Sequence, residues 1–116
     1  MTSWSDEYRN LKALEDLTAE AIGRCKKALI LNPTESDAAD LNSMVIELET
    51  KATLARDRIN AILNSRQAIK PPSSEQVDRV KKLAAQVEAQ TNATLTASAT
   101  LEFGGKVIDL VNELAS

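Results

Sequence analysis

A regular apolar repeat between residues 36 and 69 most constrains what this chain can fold into. Apolar side chains recur there at alternating spacings of three and four, which places them on one face of an α-helix. They are Ala38, Leu41, Val45, Leu48, Ala52, Ala55, Ile59, Ile62 and Ile69, and Arg66 occupies the slot that breaks the pattern. Such a helix would be about 50 Å long. It would be unstable alone in water, so its apolar face requires other helices to cover it.

Prolines and glycines divide the chain into helical segments. Asn32-Pro33 ends the first helix and Pro71-Pro72 the second, since the residue before a proline is disfavoured in the helical region. Gly104-Gly105 predicts a break or a kink, so the last segment either continues the third helix or forms a short fourth one. The predicted helices are 4–31, 36–69, 74–102 and 106–115. The predicted fold is an all-α, up-down-up antiparallel bundle of three long helices, forming a single domain over residues 1–116.

Local signals refine the helix ends. Thr34 with Asp37, and Ser73 with Gln76, match the capping patterns that begin the second and third helices. Gly23 lies in the middle of the first helix, where glycine is unfavourable, and we interpret it as a close contact with a neighbouring helix.

A polar stretch from Thr91 to Thr100 interrupts the apolar face of the third helix. Only Leu95 is large and apolar there, while Thr91, Thr94 and Ser98 fall on or beside the apolar face. Threonine is a weak helix former, and its hydroxyl can bond back to a carbonyl of the preceding turn. We therefore expect thin packing and low local stability beyond Ala89.

The composition leaves few routes to catalysis. The chain contains no histidine, which removes the commonest general base and the commonest metal ligand. Its single cysteine, Cys25, lies on the apolar face of the first helix, which predicts a buried thiol. The sequence also lacks a glycine-rich phosphate loop. We predict that the protein is not an enzyme and that it holds no cofactor and no metal.

Charge is segregated along the chain. Residues 56–82 carry seven cations and three anions, a net charge of +4, whereas the remaining residues carry a net charge of −7. The cations that we select as candidate partner-binding residues surround Pro71-Pro72 and are Arg66, Lys70, Arg79, Lys81 and Lys82. This tip is either an ordinary solvated helix end or a docking patch for an acidic partner or for anionic lipid headgroups. The overall net charge of −3 argues against a nucleic-acid ligand.

The amphipathic end of the chain is the second candidate contact surface. Its apolar side chains are Phe103, Val107, Leu110, Val111 and Leu114. They either cap the bundle or swing out and insert into a groove on a partner.

These features predict a non-enzymatic protein–protein interaction module, such as an adaptor, a chaperone-like protein or an inhibitor of the immunity type. Its partner would be another protein, with a second copy of the chain as an alternative. Two other functions stay open: a structural subunit of a helical assembly, such as a secretion apparatus, and a peripheral membrane binder. The absence of a signal peptide and of a long apolar run predicts a cytoplasmic location, and export without a cleaved signal is compatible with it.

Two short motifs resemble those of type III secretion needle subunits. Trp4-Ser5 and Asn32-Pro33-Thr34 are placed like the Trp-Ser pair and the proline-containing turn of that family. Its members are small and helical, and they join two long helices through such a turn. The resemblance covers about residues 1–65 and implies a helical hairpin that assembles with other copies. The 46 residues after Lys70 have no counterpart in that family.

Overall fold

The protein folds into four α-helices, described for residues 4–89 and 96–115 of a computed structural model. The helices are α1 (Trp4–Ile30), α2 (Glu35–Ser65), α3 (Ser74–Ala89) and α4 (Ala97–Ala115). Within those two ranges the chain contains no β-strand, and the all-α fold class is confirmed. The molecule measures 47 × 25 × 16 Å. Its long dimension matches the length of about 46 Å expected for the 31 residues of α2.

Two capping contacts set the ends of α2. The Thr34 hydroxyl accepts a hydrogen bond from the Asp37 N–H at 3.1 Å, as the capping pattern predicted. At the other end, Arg66 adopts the left-handed conformation with φ 54°, and its N–H donates to the Ile62 carbonyl at 2.7 Å. A left-handed residue ends a helix, so α2 stops four residues before the predicted end at Ile69. Ile69 lies beyond the helix and is 49% exposed.

The predicted third helix is divided into two. α3 ends at Ala89 and α4 begins at Ala97, so the break lies before Gly104-Gly105, which sit inside α4. The Thr96 hydroxyl accepts the Ala99 N–H at 3.0 Å and provides an N-cap for α4. Thr91 and Thr94, which weakened the predicted third helix, lie outside the described residues. The prediction of one helix over 74–102 is therefore wrong, and α4 is longer than the predicted segment 106–115.

The hydrophobic core lies mainly between α1, α2 and α4, each of which contributes one apolar face. The predicted apolar face of α2 is confirmed at its centre, where Leu41, Leu48, Ala55, Ile59 and Ile62 are buried. Cys25 on α1 is fully buried, as its place on the apolar face predicted. This burial raises the pKa of its thiol.

Two side chains of α2 contact α4 and show how the two helices are oriented. Met44 in the first half of α2 lies against Gly104 of α4. Arg58, further along α2, donates from Nη2 to the carbonyl of Ala115 at 3.4 Å. From the first contact to the second, the residue numbers increase on both helices. α2 and α4 therefore run in the same direction.

The start of α3 follows the predicted capping box. The Ser73 N–H donates to Gln76 Oε1 at 2.9 Å, and the Gln76 N–H donates to Ser73 Oγ at 3.1 Å. α3 packs chiefly on α1. Its buried apolar side chains are Val80 and Leu83, so the apolar contact that holds this helix is narrow.

Polar contacts attach α3 to α1 at both ends. Glu7 of α1 is only 1% exposed, and its carboxylate accepts the N–H groups of Ile69 at 2.8 Å and Lys70 at 2.9 Å, just before α3. At the opposite end, Arg24 of α1 donates to the Val87 carbonyl at 3.1 Å. The two helices therefore run side by side in the same direction.

The glycines differ in what surrounds them. Among the described residues, no atom lies within 4 Å of the position that a Cβ on Gly23 would take, so the close contact predicted at Gly23 is wrong. A Cβ on Gly105 would also meet no described atom within 4 Å. A Cβ on Gly104 would lie 2.8 Å from Met44 Sδ. Gly104 is the glycine that permits close approach of two helices, because it faces the core whereas Gly23 does not.

These surroundings predict opposite effects of substituting alanine. Gly23→Ala and Gly105→Ala should each raise the free energy of unfolding by about 0.5–1 kcal/mol, because alanine restricts the unfolded backbone and favours the helix. Gly104→Ala should gain less or lose stability, because Met44 must move. Urea denaturation followed by circular dichroism measures all three. An equal gain at Gly104 and Gly105 would contradict the packing of α4 on α2.

The carboxylate of Glu7 generates a second prediction. Glu7→Ala should lower the free energy of unfolding by about 1–3 kcal/mol, since two backbone donors lose a charged acceptor. Amide exchange should accelerate at Ile69 and Lys70. The matched control is Glu47→Ala, which removes the same charge from an exposed position of α2. Similar denaturation midpoints for the two variants would contradict a structural role for Glu7.

Candidate functional site

An open groove lies on each side of α3. The first, which we call the α1–α3 groove, encloses about 610 Å³, and the second, the α3–α4 groove, encloses about 270 Å³. Ligand pockets in proteins typically enclose about 300–1,000 Å³. By volume, the α1–α3 groove is therefore the stronger candidate for a binding site.

Helical spacing places the walls of the α1–α3 groove opposite each other. α1 contributes residues three and four apart, namely Asp6, Arg9, Asn10 and Ala13. The other wall, from α3 and the turn before it, includes Pro72, Ser74, Val77, Asp78, Val80 and Lys81. Residues at these spacings share one helix face. The groove therefore combines an apolar surface with a few polar and charged groups.

Asn10 is the buried polar residue of this groove. It is 8% exposed, and it belongs to the α1 wall of the open groove. Two other buried polar residues of α1 do not line the groove: Glu7 accepts two backbone N–H groups, and the Thr18 hydroxyl donates to the Leu14 carbonyl at 2.8 Å. Sequence reasoning did not select Asn10.

Charged side chains surround the rest of the α1–α3 groove. Arg9 forms an ion pair with Asp6 at 2.5 Å within the first turns of α1. Asp78 and Lys81 on α3 both line the groove, and across the described chain neither forms an ion pair. The α3 wall thus offers one anion and one cation to a ligand.

The α3–α4 groove is smaller, and its charges are largely compensated. The cations that line it are Arg79, Lys82 and Lys106, and its apolar lining includes Leu83 and Leu110. Arg79 is hydrogen-bonded to Glu113, and Lys106 pairs with Glu102 at 3.4 Å. Asp109 also lines the groove. This surface therefore presents less free positive charge than its cations alone indicate.

Glu113 organises the polar contacts between α3 and α4. Its carboxylate accepts hydrogen bonds from Arg79 and from Gln76 Nε2, the latter at 2.9 Å. The Arg79 bond and then the Gln76 bond lower the pKa of Glu113, and the same bond to Glu113 raises the pKa of Arg79. The Lys70 ammonium donates to the Glu113 carbonyl at 2.6 Å.

The structure does not gather the five predicted basic residues into one patch. Lys81 lines the α1–α3 groove, whereas Arg79 and Lys82 line the α3–α4 groove on the other side of α3. Lys70 is bonded to Glu113, and Arg66 is the exposed C-cap of α2. The charge pattern in the sequence therefore selected residues that line two different grooves, and it did not indicate which residue lines which groove.

The predicted apolar contact residues of the last helix lie inside the core. Phe103, Val107, Leu110, Val111 and Leu114 are all buried, and α4 packs on both α1 and α2. Of the five, Leu110 also borders the α3–α4 groove. In this structure these side chains form a wall of the core, so we do not include them in the candidate site.

The described part of the chain shows neither a metal site nor a membrane-spanning helix. There, no group of three or more His, Cys, Asp or Glu side chains is arranged to hold a metal ion. Of the helices in the same part, none is long and apolar enough to cross a membrane. Comparisons with protein-family models, curated proteins and solved structures find no match.

The lowered pKa of Glu113 predicts how stability depends on pH. Because its pKa in the folded state lies below the ordinary value of 4.5, the carboxylate stabilises the fold above that value. This contribution is lost as the pH falls through the lowered pKa. Glu113→Gln should therefore be less stable than the natural protein at pH 7, and the difference should shrink below pH 4.5.

Urea denaturation between pH 7 and pH 3 tests this prediction. The control repeats Glu113→Gln in an Arg79→Met background, where the largest cause of the lowered pKa is missing. There the pH dependence of the stability difference should be weaker. A difference that stays constant with pH in both backgrounds would contradict the assignment.

Proposed function

We propose that this protein is a non-enzymatic protein-binding module that contacts its partner through α3 and the α1–α3 groove. The observation that carries this proposal is the open groove of about 610 Å³ beside α3. Ala13, Val77 and Val80 give it an apolar surface, and Asp78 and Lys81 add charge. An apolar centre with a polar rim is typical of surfaces that bind other proteins.

The chemistry of the groove favours binding over catalysis. Ser74 supplies a hydroxyl to the groove, and it has no hydrogen bond to a base in the described ranges. A serine nucleophile requires such a base to activate it. The groove's charged groups are placed to recognise a ligand, and we assign none of them a catalytic role.

The two other predicted functions receive less support from the exposed apolar side chains. Ile30 ends α1 and Leu31 follows it, Ile46 and Leu63 lie on α2, and Ile69 lies between α2 and α3. The two on α2 are 17 residues apart, about 25 Å along the helix, and the other three lie outside it. Apolar residues scattered in this way are normal on a protein surface. A subunit of an assembly or a membrane binder would be expected to present a larger continuous patch.

A peptide selection tests the proposal. The purified protein is used to select peptides from a displayed random library, and fluorescence anisotropy measures the affinity of synthetic copies. Val77→Arg, which places a bulky charge in the groove, should weaken binding at least about tenfold, or about 1.4 kcal/mol. The matched control, Ala85→Arg, adds the same charge to an exposed position of α3 outside both grooves, and it should bind like the natural protein.

Three outcomes would overturn the proposal. One is a selection that yields no peptide, and another is binding that Val77→Arg does not weaken. The third is evidence that the protein associates in another way. A molar mass that rises with concentration in light scattering would favour an assembly subunit. Co-sedimentation with anionic vesicles would favour a membrane binder.

A further inference from the structure

We infer that α3 undocks from α1 as one unit while α1, α2 and α4 stay folded, and that this undocking takes the α1–α3 groove apart. The docking of α3 therefore controls whether the binding site exists. This control of binding rests on the proposed function, whereas the undocking itself does not. The inference follows from the small apolar contact of α3, from the polar contacts at its ends and from the position of the groove.

The apolar contact that holds α3 is small. Among its described side chains only Val80 and Leu83 are buried. The other three helices instead share one core, to which each contributes buried apolar side chains over several turns. Because the hydrophobic effect scales with the apolar area removed from water, undocking α3 costs less than separating those three helices. An element with few buried apolar contacts opens before the rest of its domain.

The polar contacts of α3 are ones that water can replace. Glu7 accepts two N–H groups from the turn before α3, and Arg24 donates to the Val87 carbonyl. Undocking exchanges these hydrogen bonds for hydrogen bonds to water, so their net contribution to docking is modest. Arg79 of α3 also buries its Nε without a hydrogen-bond partner in the described chain. Docking therefore leaves a polar atom unsatisfied, and undocking lets water reach it.

The position of the groove links undocking to binding. α3 and the turn before it supply one wall of the α1–α3 groove, and α1 supplies the other. A ligand that touches both walls binds the docked state and has no complete site in the undocked state. Such a ligand stabilises docking by mass action, and the release of α3 removes its site. α3 is therefore both a wall of the site and the switch that turns the site off.

Hydrogen exchange of the natural protein, followed for each residue by NMR, tests the undocking. A helix of 16 residues is marginally stable on its own in water, so undocking exposes its amides. The amides from Val80 to Val87 should exchange at least about 100-fold faster than the slowest amides between Leu41 and Ile62, after correction for intrinsic rates. They should also share one opening free energy, since they open together.

Two substitutions separate undocking from global unfolding. Leu48→Ala, on the buried face of α2, should speed exchange in α2 at least about tenfold and in α3 less than about twofold, because undocking leaves the core intact. Leu83→Ala, on α3, should speed exchange in both helices equally, because it destabilises the docked state relative to both open states. Ala55→Gly is a milder core substitution with the same expected pattern, for use if Leu48→Ala does not fold.

A peptide from the selection above tests the control of binding. At a free concentration of about 100 times its Kd, it should slow exchange throughout α3 by about 100-fold, because only the docked state binds it. The slowing should reach Val87, which does not line the groove. Slower exchange confined to the amides beside the groove would show that the peptide covers α3 locally and does not hold it docked.

Three results would overturn the inference and leave the proposed function standing. They are exchange in α3 as slow as in α2, equal acceleration of both helices by a core substitution, and peptide protection that stops at the groove. A selection that yields no peptide would instead remove the proposed function and, with it, the control of binding. Exchange in the free protein and in the two variants would still decide whether α3 undocks as a unit.

Discussion

The shape of the candidate site depends on one buried carboxylate, that of Glu7. It accepts the N–H groups of Ile69 and Lys70, and hydrogen bonds to an ionised acceptor are stronger than those between neutral groups. Pro71-Pro72 follow at once and Ser73 caps α3, so fixing the backbone at 69–70 fixes where α3 begins. The buried apolar contact of α3 is narrow. The groove exists because α3 is held on α1 at its two ends and leaves space along its side.

α1, α2 and α4 bury most of their apolar surface against one another, so little of it is left for α3 to pack against. α2 needed partners for its apolar face, and α1 and α4 supply them. Gly104 lets α4 approach α2 closely, so that Phe103 and Val107 fill the centre. An interior glycine disfavours an isolated helix by about 1 kcal/mol, and packing of this kind offsets that cost. α3 is therefore an addition to a three-helix core, and a surface of this kind can carry a binding site without disturbing the fold.

Local rules predicted the parts of this fold that local interactions determine. The face of α2, the Thr34 and Ser73 caps and the burial of Cys25 each follow from spacing or from a contact within a few residues. The boundary between the last two helices was predicted at Gly104-Gly105 because glycine has a low helix propensity. In the structure these two glycines lie inside α4. The basic residues were selected by charge, but which groove each one lines depends on how α3 is rotated. That rotation depends on contacts with Glu7, far away in sequence, that no local pattern reveals.

Asn10 shows what the same reasoning could have noticed. It lies four residues before Leu14, and both residues are buried. A polar residue therefore lies on the apolar face of α1. Glu7 lies on the same face, and its carboxylate accepts the backbone N–H groups of Ile69 and Lys70, whereas Asn10 lines the α1–α3 groove. Two polar residues one turn apart thus lie in different settings, one holding the turn before α3 and the other lining the groove. Proteins depart from the rules of stable packing mainly at functional sites. A polar residue on the apolar face of α1, placed at the wall of an open groove, is a departure of this kind.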